Sequence, residues 1–232
     1  MTNPQSQRGS ESIPDRQEVR DVISRAIPDS RPATIDALTR TARLRLVAGD
    51  ETIYRQGDPV PLTILLSGYS AFRRTTATGQ ELMSGVGRPG ELFGFSGLAS
   101  VLSSVQLVSL TDCMVGQWSG PEVRALARED PGLALGALDA TAAALHLLME
   151  RIDGFLHQGA RVRVMRILVR HQDLFFGEPV ILTRSHLPSL VGTSREMTGR
   201  VLRELEREGT VARVGRVGLK LLRPERLVGD AA

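Results

Sequence analysis

Residues 191–209, VGTSREMTGRVLRELEREG, space charged groups in a way that suits reading a patterned surface. Arg195, Glu196, Gly199, Arg200 and Arg203 recur at i, i+1, i+4, i+5 and i+8, one face of a helix. Met197, Val201, Leu202 and Leu205 recur with the same helical spacing on the opposite face. A guanidinium matches guanine O6 and N7 with two hydrogen bonds, and a carboxylate accepts from cytosine N4. Arg195, Glu196 and Arg200 fall in the first two turns, where a helix inserted in the major groove meets base edges, so they are the expected base readers. Gly199 removes bulk from the same face. Glu196 is informative because a carboxylate beside phosphates is unfavourable unless it meets a base donor. It also has a purely local alternative: Thr193 and Glu196 carry the S/T-x-x-E spacing of a capping box.

A base-reading helix needs a support. Residues 183–206 read as two helices joined by a tight turn at Gly192, the second beginning at Thr193 or Ser194. Thr183 or Ser185 caps the first, and Pro188 favours either the later start, where its missing N–H costs nothing, or a bent first helix. The following TVARVGRVGLKLL alternates on either side of Gly215-Arg216 and predicts a hairpin with a two-residue type II′ turn. Two helices and a hairpin make a winged helix-turn-helix. Thr183, Arg184, Ser194, Arg203, Arg216 and Lys220 are the expected phosphate contacts, adding affinity without sequence information. Upstream, ARVRVMRILVRHQDLFFGEPVILT predicts a helix to about residue 172, a loop around Gly177 and a short strand at Val180–Leu182.

Residues 131–158 carry Leu135, Leu138, Ala142, Leu145, Met149, Ile152 and Leu156 in a 3-4-3-4-3-4 spacing, an a/d seam held for three heptads. The alternative is a helix packed on its own domain. The seam's length, and the small Ala142 and Ala143, favour a second copy and hence a parallel homodimer. Residues 46–120 alternate short apolar runs with Gly, Pro and Asp turns at strand spacing, which indicates a sandwich or barrel. Residues 18–45 read as helix interrupted by Pro28 and Pro32. The expected organisation is a disordered tail at 1–17, a β-rich domain with flanking helices at 18–130, a dimerisation helix at 131–158 and the winged unit at 159–232. The fold class is α+β.

The 232 residues carry a formal charge of only +3, unevenly. Residues 160–232 hold 14 basic against 8 acidic side chains, a net of +6; the remainder holds 15 against 18, a net of −3. A basic C-terminal third points to a polyanion. The single cysteine, Cys113, excludes an internal disulfide framework and a cysteine-held iron–sulfur cluster. The four histidines, at 146, 157, 171 and 186, all lie outside the strand region, so a metal site there lacks its usual ligands. No unbroken run of about 18 apolar residues is present and the N-terminus has no apolar h-region, so neither a membrane partner nor a secretory signal is expected, and a cytoplasmic location is.

LTRSHLPSLVGTSREMTGRVLRELEREG resembles the DNA-binding motif of the cyclic-AMP receptor protein / fumarate-nitrate regulator (Crp/Fnr) family, above all in VGTSRE and GRVLRELE. IYRQGDPVPLTILLSGYSAF, RPGELFGFSGL and VSLTDCMVGQW are similar to that family's roll strands, and the likeness spans roughly residues 35–225. It implies an N-terminal β-roll sensor, jelly-roll-like and similar to a cyclic-nucleotide-binding domain, then a long dimerisation helix and a winged helix-turn-helix on a two-fold related DNA site. It places Arg195, Glu196 and Arg200 at the base-reading positions. RNA polymerase becomes a partner if the protein activates.

Members that bind a cyclic nucleotide use a Gly-Glu pair for the ribose and an Arg-Ser pair for the phosphate. Here Gly94-Phe95 and Ser103-Ser104 stand in their places, and no Arg or Lys occurs between Arg88 and Arg124. Gly90-Glu91 offers another alignment of the first pair, but the arginine is still missing. A cyclic phosphate needs a cation or several aligned N–H donors, which argues against cyclic AMP. Gly94, Phe95, Ser96, Ser103 and Ser104 remain a candidate pocket for another effector. No cofactor and no catalytic or metal site is expected. The runner-up reading is a small-molecule sensor acting through a protein partner.

Overall fold

The computed structural model describes residues 14–76 and 79–229. Helix α1 (Arg16–Ala26) opens on a capping box: the Asp15 side chain accepts from the Glu18 N–H, and the Glu18 carboxylate accepts from the Asp15 N–H. That box corrects the expected tail, because residues 16 and 17 are helical; residues 1–13 lie outside the described residues. Helix α2 (Pro32–Thr41) follows, with Pro32 in its first turn.

The strands are β1 (Arg43–Val47), β2 (Thr52–Tyr54), β3 (Leu62–Ser67), β4 (Ser70–Thr75), β5 (Glu81–Gly87), β6 (Leu92–Phe93), β7 (Gln106–Ser109) and β8 (Cys113–Trp118). They form two antiparallel sheets, ordered β1-β8-β3-β6 and β2-β7-β4-β5. Val47, Ile53, Tyr54, Leu65, Leu107, Cys113 and Val115, drawn from both sheets, fill the interior, and Phe72 meets Phe93 edge-on at 5.0 Å. Cys113 is fully buried there, and burial raises its thiol pKa. The outer face of the first sheet is covered by α1, α2 and α3 (Gly120–Glu129); buried Trp118 donates its indole N–H to the Leu38 carbonyl at 3.0 Å.

Helix α4 (Pro131–His157) starts where Asp130 accepts from the N–H groups of Gly132 and Leu133, with Pro131 at the first position. Twenty-seven Ala- and Leu-rich residues make it about 40 Å long. Leu133 and Ala137 join the core between the first sheet and its covering helices, after which residues 138–150 are all exposed. Its most apolar 18-residue stretch has a mean hydropathy of 1.5, which by length and composition is enough to cross a membrane. A search for an unbroken apolar run overlooks this helix because Asp139, Thr141 and His146 interrupt it.

The C-terminal unit holds α5 (Ala160–Arg170), α6 (Gln172–Phe176), α7 (Leu187–Val191), α8 (Arg195–Arg207), β9 (Val211–Val214), β10 (Gly218–Leu221) and α9 (Pro224–Gly229). The strand expected at Val180–Leu182 does not form: the N–H groups of Ile181 and Leu182 both donate to the Leu174 carbonyl of α6, and no described strand pairs with them. The hairpin turn is also longer than expected. Val214 pairs with Gly218, so three residues, Gly215 to Val217, form the loop.

This unit packs on the outer face of the second sheet. Ala71 of β4 and Met83 of β5, both buried, belong to the same core as Val164, Phe175, Leu190 and Val201. Arg88, on the β5–β6 turn, forms a two-point ion pair with Asp173 of α6, which holds that carboxyl below the ordinary carboxylate range. Arg151 of α4 donates to the carbonyls of Met83, Ser84 and Leu190, tying helix, sheet and α7 together.

His171, at the α5–α6 junction, is 8 % exposed and its Nδ1 makes no hydrogen bond. Burial, with Arg88, Arg170 and Arg151 nearby and only Asp173 opposing them, pushes its pKa down to about 4. The unfolded chain therefore binds the proton first as pH falls. The stability this neutral imidazole contributes is full above about pH 6.5 and is lost toward pH 4. Urea titrations at pH 7 and pH 5 should differ by about 2 kcal/mol through this group. His171→Gln should remove that difference; an unchanged pH dependence in the variant would show that the imidazole does not carry it.

Candidate nucleic-acid interface

Helix α7 begins later than either expected cap, Thr183 or Ser185. His186 occupies its N-cap and Pro188 its second position, so the proline's missing N–H falls where none is needed. Residues 183–186 form a turn in which His186 Nδ1 accepts from the Thr183 N–H at 3.0 Å. Burial, then the nearby Arg73, lowers the His186 pKa, while Asp50 and Glu81 oppose the shift. Gly192 ends α7 at φ +67°, and a Cβ there would lie 2.5 Å from the Phe155 ring of α4. The turn between the two helices thus needs glycine both for its backbone and for its approach to the long helix.

Ser194, not Thr193, caps α8: its hydroxyl accepts from the Met197 N–H at 3.1 Å. Glu196 therefore sits one position short of the capping-box place and has no capping role. The buried face of α8 is Thr198, Val201, Leu202 and Leu205. Thr198 takes the inward place expected of Met197 and donates its hydroxyl to the Ser194 carbonyl, which removes the polar penalty.

On the other face, Arg195, Glu196, Arg200 and Arg203 are exposed and make no side-chain hydrogen bond or ion pair with the described residues. Their neighbours behave differently. Glu206 pairs with Arg213 at 2.6 Å and Glu208 with Arg161 at 2.7 Å. The half-buried acids of α8, Glu204 and Glu206, are paired, and the exposed Arg195, Glu196, Arg200 and Arg203 are left open. Arg216 and Lys220 are exposed on the hairpin, whereas Thr183 and Arg184 are half-buried at its side, the Arg184 N–H donating to the Val217 carbonyl. The Thr183 hydroxyl lies 2.7 Å from that of Ser185.

On α4 the proposed seam is open: Leu135, Leu138, Leu145, Met149, Ile152 and Leu156 are 41–72 % exposed, and Ala142 is exposed too. His146 lies near it, exposed, 3.6 Å from Glu150. The opposite side of the same helix borders a cleft of about 660 Å³ against α5 and α7, lined by Phe155, Arg151, Arg163, Arg170, Ile167 and Leu190 among others. Arg151 and Arg163 stand over the Phe155 ring at 5.6 and 5.4 Å. This cleft escapes sequence reasoning because it is built from three elements with no shared motif.

The residues of the expected effector pocket differ in their surroundings. Phe95 is buried among Leu62, Ile64 and Trp118, in a 3-10 turn (Phe95–Ala99), and Gly94 (φ +96°) leaves no room for a Cβ beside the Pro61 carbonyl. Ser103 is buried with its hydroxyl donated to the Val105 carbonyl, and its backbone is pinned to Gly57 and Asp58. Ser96 and Ser104 are exposed. Arg124 of α3 donates to the Leu98 carbonyl, so a cation from outside the strand region reaches the 3-10 turn.

Two family profiles match the chain: the cyclic nucleotide-binding domain over residues 44–130 and the Crp-like helix-turn-helix domain over residues 162–229. The chain is similar to the cyclic AMP receptor protein of Thermus thermophilus, 32% identical over 191 residues, 78% of this chain and 84% of that protein. It is 27% identical over 192 residues to the cAMP-activated global transcriptional regulator Vfr of Pseudomonas aeruginosa, covering 76% of this chain and 88% of the relative. Its fold is like that of the c-di-GMP-responsive regulator CLP of Xanthomonas campestris, with a TM-score of 0.69 and 24% identity over 82% of this chain and 99% of that one. At that identity the likeness speaks for fold alone. With the curated relatives covered over most of their length and both domain profiles in the expected order, the chain belongs to the Crp/Fnr family, whose members are DNA-binding transcription regulators and not enzymes.

Proposed function

We propose that the protein acts in the cytoplasm as a homodimer on a two-fold related DNA site, with Arg195, Glu196 and Arg200 of each copy reading base edges. Thr183, Arg184, Ser194, Arg203, Arg216 and Lys220 bind phosphates. The observation that carries this reading is the contrast on α8: the exposed Arg195, Glu196, Arg200 and Arg203 are open while the half-buried Glu204 and Glu206 are paired. An isolated acid among open arginines suits a cytosine donor better than a solvated surface. Where the regulator activates, RNA polymerase is its further partner.

A second copy, not a bilayer, is the proposed cover of α4. Leu133 and Ala137 bury one end in the core beneath the first sheet's helices, and Arg151 fastens the other to β5 and α7, so both ends are held by the protein and the exposed stretch 138–150 between them is left for a second copy rather than a lipid phase. The sensor is proposed not to take cyclic AMP through the usual cassette. The residue standing at the ribose-binding position, Phe95, is core, and the one at the phosphate-binding arginine, Ser103, has its hydroxyl engaged.

Fluorescence anisotropy on a specific duplex tests both statements. Eight charged phosphate contacts per dimer predict a slope of about −7 for log K against log salt. Adding cyclic AMP should leave the curve in place. A failure to bind at any salt would favour instead a sensor working through a protein partner, and a large shift with cyclic AMP would overturn the sensor assignment.

A further inference from the structure

The cleft of about 660 Å³ between α4, α5 and α7 holds positive charge that the fold does not neutralise. Arg151 donates only to carbonyls, those of Met83, Ser84 and Leu190, and Arg163 donates to the Gln158 carbonyl at 2.8 Å. Carbonyl oxygens satisfy donors but carry no net charge, and neither guanidinium has a carboxylate partner among the described residues. Burial, with Arg170 nearby, lowers the Arg151 pKa, as expected of a cation without a counter-ion. The two acids on the cleft wall are drawn elsewhere: Glu150 lies 3.2 Å from Arg170, and Asp153 lies 3.7 Å from His157. Arg151 has a structural reason to be there, because it ties β5 to α7. Arg163 has none of that kind: its Nε is buried and finds no acceptor, which is unfavourable unless something else accepts from it.

The rest of the lining is apolar. Both guanidinium groups stand over the Phe155 ring, and Ile167 and Leu190 lie beside it. Apolar walls next to uncompensated cations suit a molecule with a hydrocarbon or aromatic body and one anionic end. The volume falls within the range of small-ligand sites, about 300–1,000 Å³. The cleft also stays open in a dimer. Arg151 and Gly154 fall at positions c and f of the heptad whose a and d positions are Met149, Ile152 and Leu156, so they face away from the seam. We propose that the cleft is a binding site for a small organic acid, with Arg151 and Arg163 holding its carboxylate and Phe155, Ile167 and Leu190 covering its apolar body. The site is separate from the expected pocket in the β-roll and does not depend on groove reading by α8. Its occupant bridges the long helix and the first helix of the helix-turn-helix.

Isothermal titration calorimetry on the full-length protein tests this with two carboxylates, 1-naphthoate and octanoate, and their neutral counterparts, 1-naphthamide and 1-octanol. At least one acid should bind with a Kd of about 0.1 mM or tighter, and which of them does so tells an aromatic body from an aliphatic one. Its neutral counterpart should bind at least about tenfold more weakly, the scale of a lost charge-assisted hydrogen bond. Arg163→Gln gives up one contact to a carbonyl, and a circular dichroism melt reports that it folds. It should weaken the acid at least about tenfold and leave the neutral molecule unchanged. Neither acid reaching that affinity, or equal binding of acid and neutral counterpart, would overturn the proposal. So would acid binding that Arg163→Gln does not alter, since it would place the ligand elsewhere, such as on the exposed face of α4.

Discussion

Arg200→Ala should erase the protein's preference for its specific duplex while leaving fold and oligomeric state untouched. Arg200 is exposed and makes no hydrogen bond or ion pair with the described residues, so its removal breaks nothing internal. A two-point contact to guanine discriminates by about 1–3 kcal/mol, and a dimer makes it twice. The expected loss of discrimination is therefore about 30-fold to 10⁴-fold. Gel-shift competition between specific and random duplexes measures it, with light scattering as the control for assembly. Unchanged discrimination would remove Arg200 from the base-reading set.

A comparable loss should follow from breaking the proposed seam on α4, far from the proposed base readers. Leu138 and Leu145 are 62 and 59 % exposed in the single chain, so Asp at both positions costs the protomer little. Across a two-fold seam the same change sets carboxylates against each other in an apolar contact, which a dimer cannot bear without desolvating them. The double variant should be a monomer by light scattering at micromolar concentration, with an unchanged circular dichroism spectrum. Its affinity for a two-fold site should fall by about 10²-fold or more, because the second half-site is no longer presented at high effective concentration. A stable dimer in the variant would place the interface elsewhere.

How much of this was legible in the chain depends on the range of the interaction. Helix α8 was readable because its charges and its apolar residues separate at helical spacing, and the late start of α7 followed from the backbone chemistry of Pro188. The choice between Thr193 and Ser194 as cap was not readable, since both spacings are sound and only the backbone geometry decides. The β-roll was visible as a class from its alternating runs and turns, but not the order of its strands, which depends on pairings between distant parts of the chain, such as Arg43 with Gln117. The docking of the winged unit on the β-roll left no local signal: Arg88 and Asp173 are 85 positions apart, and Arg151 reaches backbone carbonyls, which every residue has. The missing strand at Val180–Leu182 has the same cause, for an apolar run does not announce that its N–H groups will be taken by a neighbouring helix.

Selection of duplexes by the purified protein from a random pool is the most direct measurement of the central claim. Two copies of α8 held by the α4 seam predict enrichment of an inverted repeat, its half-sites centred one helical turn apart, about 34–36 Å, or a multiple of that. Each half should carry guanines where Arg195 and Arg200 reach. Enrichment of a single unrepeated motif, or no enrichment above the starting pool, would contradict it.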